Sequence, residues 1–166
     1  MKKERAQLSV GDEAPKFRAL AVGGEYGDGQ EVNLDQLRGT PVVLYFYPKD
    51  DTPGCTVQAC SLRDSWGELR GSAKVFGVSV DSGQSHAKFI DKYELPFPLL
   101  SDAEKEIVNA YGVWVEKSMY GKKYMGTERS TFLIDGAGRI SSIFRRVKPE
   151  EHVAVVRDAL KKLAGK

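Results

Sequence analysis

The sequence is short of the features that mark several protein classes. It has only two cysteines and two histidines in 166 residues. His86 and His152 lie far apart in the chain and make a poor metal set, even with two thiols added. Net charge is +2, with 25 basic and 23 acidic residues mixed along the chain. No basic stripe with interleaved aromatics offers itself to nucleic acid. The longest apolar stretch, from Pro41 to Pro48, is far too short to span a bilayer. Residues 1–10 lack an apolar core followed by a small-residue cleavage site, so no secretory signal is expected and a cytosolic location is the default. Lys2, Lys3 and Arg5 read as a solvated end. Internal repeats, linkers and low-complexity tracts are also missing.

What is present suits a packed core. Hydrophobic residues make up 41% of the chain and charged ones 29%, which argues against disorder. The length fits one domain over residues 1–166, and a chain of this size buries about 70% of its unfolded surface. "TPVVLYFYP" is a continuous β-branched and aromatic run, the pattern of a strand covered on both faces. "AKVFGVSV" reads the same way, and "STFLIDGAGRISSIFR" reads as two strands joined at Asp135–Gly138. "FRALAV" and "EVNL" flank the glycine-rich turn "GGEYGDGQ" and predict a short N-terminal hairpin. Helices are expected in four places. One follows Pro53 and runs to Gly71, with Val57, Leu62 and Leu69 partly sharing a face. The others cover "SHAKFIDKY", "DAEKEIVNAYG" after a Ser101–Asp102 cap, and "PEEHVAVVRDALKKLAG". Strands alternating with helices predict an α/β fold around a central mixed sheet.

Both cysteines fall in one segment, "YFYPKDDTPGCTVQAC". If Pro53 or Gly54 opens the helix, Cys55 stands in its first turn. There, unpaired backbone N–H groups and the positive end of the helix dipole favour the thiolate, the nucleophilic form. Thr52 places a hydroxyl three residues ahead, able to cap the helix or donate to a bound oxygen. Pro48 ends the strand and can screen the pocket from water. The plainer alternative for Cys55 is a small apolar core residue. On an ideal α-helix, residues five apart have Cα atoms about 8.7 Å from each other, whereas a disulfide wants roughly 4.4–6.8 Å. A bridge from Cys55 to Cys60 therefore requires the intervening turn to unwind. Burial on the helix's core face is the alternative for Cys60.

These residues resemble a known family. "YFYPKDDTPGCTVQACSLRD" is similar to the peroxidatic signature of peroxiredoxins. The second cysteine five residues on resembles the Q-type branch, also called bacterioferritin comigratory protein. The likeness continues in "GDEAPKF", "FPLLSDAEKEIVNAYGVW", "GTERSTFLID" and "VKPEEH". It implies a thioredoxin-like fold and a thiol-dependent peroxidase that reduces hydrogen peroxide and organic hydroperoxides without metal, haem or flavin. By the same resemblance Cys55 matches the peroxidatic cysteine, Cys60 the resolving cysteine, Thr52 and Pro48 the pocket partners, and Arg129 the active-site arginine. Read without the family, Arg129 would be a strand-end residue in a surface ion pair. Electrons are then expected from thioredoxin or a similar dithiol protein. An intrachain Cys55–Cys60 bridge needs no second subunit, so a monomer is expected.

Two rivals are weaker. A thioredoxin-type disulfide oxidoreductase would carry C-x-x-C and a proline before the late strand, and "GTERSTFLI" has none. A non-catalytic thiol- or metal-binding module would want histidines near the cysteines. The remaining polar and aromatic residues take ordinary readings. His86 and His152 sit in charged helical surroundings, Asp50 and Asp51 cap or solvate the loop or else tune access to Cys55, Trp66 and Trp114 pack the core or its rim, and Lys122 and Lys123 form a small basic spot.

Overall fold

The computed structural model describes residues 8–165. The basic cluster of Lys2, Lys3 and Arg5 lies outside the described residues. The run "VVLYF" becomes β3 (Val42–Phe46), buried along its whole length. Alternation sends Val42, Leu44 and Phe46 into one core and Val43 and Tyr45 into the other, as the two-residue period of a strand requires. Two neighbours run parallel in succession, β4 (Lys74–Ser79) beside β3 and β5 (Leu99–Ser101) beside β4. On its other side lie antiparallel β8 (Ser130–Ile134) and β9 (Ile140–Arg145). The hairpin of β1 (Arg18–Val22) and β2 (Gln30–Asn33) joins at β5. The result is a mixed seven-stranded sheet in the order β2-β1-β5-β4-β3-β8-β9.

Helices cover both faces. From α1 (Pro53–Asp64), Cys55, Ala59 and Leu62 enter one core. Leu69 of α2 (Trp66–Leu69), Phe89 of α3 (Gly83–Tyr93), and Val156, Ala159 and Leu160 of α5 (His152–Ala164) join them there. The opposite core takes Ile107 and Val108 of α4 (Glu106–Ala110), followed by Tyr111 and Val113. The parallel neighbours β3, β4 and β5 are linked through helices, because parallel strands need a crossover.

The structure changes several expectations. The first helix stops at Asp64, where Ser65 leaves helical geometry at φ −104°, ψ 9°. Val57 is 46% exposed and does not share the face of Leu62 and Leu69. The helix expected from Asp102 shrinks to α4, since Lys105 at φ 62° interrupts it. Asp102 still caps, accepting the N–H groups of Ile107 (3.1 Å) and Val108 (2.8 Å). Residues 114–127, unassigned from sequence, form a separate hairpin of β6 (Trp114–Met119) and β7 (Lys122–Thr127). Both histidines are fully buried, not on the exposed charged faces of their helices. Among the described residues no helix is long and apolar enough to cross a membrane.

Candidate active site

The site forms where β3 hands over to α1. The chain leaves the sheet with the N–H of Tyr47 on Val78 O (3.1 Å). It passes the half-buried Pro48 and reaches Thr52, the extended residue before the helix. Pro53 follows, a residue whose missing N–H costs nothing at a helix start. The first helical bond runs from Thr56 N–H to Thr52 O (2.8 Å). The N–H of Cys55 therefore precedes the ladder, in the turn where orphan donors and the dipole's positive end favour an anion. Cys55 itself is buried, 2% exposed. The Thr52 hydroxyl does not cap the helix; it donates back to Lys49 O (2.8 Å), which closes the loop.

Arg129, at the junction of β7 and β8, reaches this turn. Its Nη2 donates to Cys55 Sγ at 3.4 Å and its Nη1 to Gln58 Oε1 at 2.6 Å. Gln58 is fully buried on α1, one turn beyond Cys55, so the two η nitrogens grip two successive turns of one helix. Gly54 makes room for this. A Cβ there would stand 3.1 Å from Arg129 Nη2 and 3.4 Å from Pro149 Cγ. The neighbouring acid has cations of its own. Glu128 faces Arg145 and Arg146, each at 3.5 Å, and accepts the hydroxyl of Ser130. Lys117 of β6 adds positive charge nearby. Burial and the Arg129 charge hold its amine below the ordinary lysine value, while Cys55 and Glu128 oppose that shift. On the inner side the Tyr45 phenol is pushed well above its usual range, chiefly by burial and then by the charge of Cys55. A buried sulfur beside a guanidinium at a helix start is an arrangement that can stabilise a thiolate and then an oxyanion.

The structure thus brings Cys55 and Arg129 together, with Thr52 and Pro48 in the loop ahead of them. Cys60 stays five residues further along α1, half-buried, and both thiols are free. Helical φ and ψ continue through Asp64, so this is the unbridged form.

Known proteins resemble this chain over most of its length. A model of the AhpC/TSA family covers residues 10–143. The chain belongs to the AhpC/TSA family. Peroxiredoxin Bcp of Bacillus subtilis is 46% identical over 162 residues, spanning 96% of this chain and 99% of that one. The structure superposes with a TM-score of 0.86 on a PrxQ variant of Xylella fastidiosa, at 33% identity over 96% of this chain and 99% of that one. The bacterioferritin comigratory protein of Xanthomonas campestris, whose solved structures concern alkyl peroxide reduction, gives a TM-score of 0.81 at 38% identity over 89% and 92%. The chain is a peroxiredoxin with the thioredoxin-like fold of that family, and a thiol-dependent peroxidase.

Three features of this peroxiredoxin site were missed from sequence. Gln58 carried a usable signal, standing three residues beyond Cys55 and so on the same helix face. Lys117 carried none without its hairpin. Asp50, read as a solvated loop residue, is instead 7% exposed and bonded to His86. Asp51 is exposed as expected, but it is bonded to Lys92 and Tyr93.

Proposed function

We propose that Cys55 is the peroxidatic nucleophile and Cys60 the resolving thiol. The Cys55 thiolate attacks the terminal oxygen of hydrogen peroxide or an organic hydroperoxide, and the O–O bond breaks. The sulfur becomes a sulfenic acid, and the departing alkoxide or hydroxide takes a proton to leave as alcohol or water. Arg129, in contact with the sulfur, and the unpaired Cys55 N–H in the first turn are the donors that would meet that charge. The thiol of Cys60 then condenses with the sulfenic acid, losing water and forming the disulfide before further oxidation can occur. Because α1 is intact with both thiols free, this second step requires the turn between them to open. A dithiol protein of thioredoxin type returns the pair to thiols, itself becoming the disulfide. With an intrachain bridge the cycle runs in one subunit, so the chain is read as a single-domain monomer of a reducing, cytoplasmic compartment, where such pairs work and do not staple.

The observation that carries this reading is the Arg129 Nη2 contact to a buried sulfur at the start of α1. Peroxide consumption with a thioredoxin system tests it. Cys55→Ser is expected to abolish turnover. Cys60→Ser should react once with peroxide and then stall or overoxidise. Full activity in the first variant, or a peroxide-treated wild type whose mass spectrum holds no Cys55–Cys60 bridge, overturns the corresponding role.

A further inference from the structure

A buried polar cluster lies beneath the loop that feeds α1, and the peroxide chemistry leaves it unused. The Asp50 carboxylate accepts the hydroxyls of Tyr47 (2.5 Å, on Oδ1) and Ser85 (2.8 Å, on Oδ2). His86 Nδ1 stands 2.7 Å from the same Oδ2, and His86 is fully buried. The other ring nitrogen, Nε2, faces Leu100 O at 2.9 Å. A carbonyl can only accept, so Nε2 carries a proton. Both Asp50 oxygens accept from hydroxyls, the pattern of an ionised carboxylate, and Nδ1 is then the donor that completes the contact on Oδ2. Asp81 is a further charged neighbour and takes the backbone N–H of Asp50 (2.8 Å) and the hydroxyl of Ser79 (2.6 Å).

The tethers of this loop run to α3, to β5 and to the end of β4. Asp51 adds another. It adopts the left-handed region at φ 54° and places its carboxylate on Lys92 Nζ (2.7 Å) and Tyr93 Oη (2.8 Å), at the last turn of α3. Two adjacent acids thus pin residues 47–52 along α3, immediately upstream of the helix that has to unwind. A buried ion pair is weak evidence for stability, since apolar groups of the same shape often do as well; what it supplies is a fixed geometry. We propose that Asp50 and His86 form a buried carboxylate–imidazolium pair that holds residues 47–52, and through them the first turn of α1, in register for attack by Cys55. They are positioning residues. The post stays fixed while the turn beyond Cys55 opens, and the turn re-forms against it after reduction. The inference rests on Cys55 being the nucleophile.

Two measurements on the full chain test it. In ¹⁵N NMR of the reduced protein at neutral pH, both His86 ring nitrogens are expected to carry protons. A ring with one bare nitrogen, the state of most histidines at that pH, overturns the pair. In stopped-flow oxidation, folded Asp50→Asn and His86→Gln should each slow the peroxide step about tenfold or more, as misplacement of a reacting group does. The double variant should be no slower than the slower single, because both break one interaction. Ser85→Ala, which removes one donor and spares the pair, should show a smaller slowing and serves if the single variants fail to fold. Wild-type rate constants in the folded variants, or losses that multiply in the double, overturn the positioning role. Peroxide reactivity that survives Cys55→Ser rejects the nucleophile instead, and the ring protonation, which needs no peroxide, still judges the pair.

Discussion

Replacing Arg129 by alanine removes one guanidinium that serves two partners. At 3.4 Å and an effective dielectric of about 20, Coulomb's law gives roughly 5 kcal/mol between a cation and a thiolate. The guanidinium charge is spread over more distant atoms, so this is an upper limit. Loss of one preorganised donor to a developing oxyanion costs about 2.7–4 kcal/mol, or about 10²–10³ in rate. Arg129→Ala is therefore expected to slow the peroxide step by about 10²–10³. The variant also strips Gln58 of its carbonyl partner, and leaving a buried polar atom unpaired costs about 1–3 kcal/mol, so a lower melting temperature should accompany the slower rate. Arg129→Lys should recover little of the rate, since one ammonium cannot span Gln58 and Cys55 as the two η nitrogens do. The assay is single-turnover stopped-flow with reduced protein, followed by tryptophan fluorescence; Trp66 packs against the core that receives Cys55. A folded Arg129→Ala variant within about threefold of wild type, against the loss expected for such a donor, would refute the reasoning and return Arg129 to a surface role.

Two further perturbations follow from the same geometry. Gly54→Ala sets a methyl 3.1 Å from Arg129 Nη2; it should slow peroxide reduction by displacing the guanidinium while leaving thermal stability near wild type, and an unchanged rate constant would show that the guanidinium moves without consequence. His152 is held down to about 3, mainly by burial and then by the Arg129 charge, whereas in the unfolded chain it titrates near 6.5. As pH falls from about 6.5 towards about 3 the unfolded chain takes up a proton that the folded one refuses, so stability drops by up to about 1.4 kcal/mol per pH unit. Denaturant titrations across that window should show a slope shallower by that amount in His152→Gln, and parallel slopes for the two proteins would mean that His152 is not held neutral.

The parts of the fold legible from sequence were those with strong local patterns. The run "VVLYF" has no polar interruption and could only be a strand covered on both faces. Pro53, Gly54 and the cysteine after them announced a helix start with a thiol in its first turn. The β6–β7 hairpin was hidden because its residues are mostly polar and exposed, although Tyr120 and Gly121, both at positive φ, mark its turn. The histidines were misjudged from their neighbours in the chain when their neighbours on the helix were what mattered. His86 shares a face with Phe89, Ile90 and Tyr93, and His152 with Val156, Ala159 and Leu160; the charged residues between them point elsewhere. Arg129 could not be placed against Cys55 from spacing at all. Their contact spans 74 positions and exists only because β8 lies beside β3.

The most direct test is the second-order rate constant for oxidation of the fully reduced chain by hydrogen peroxide, set beside that of an unhindered free thiol at the same pH. The account predicts a value higher by orders of magnitude that vanishes in Cys55→Ser. A rate constant no greater than that of the free thiol would contradict it.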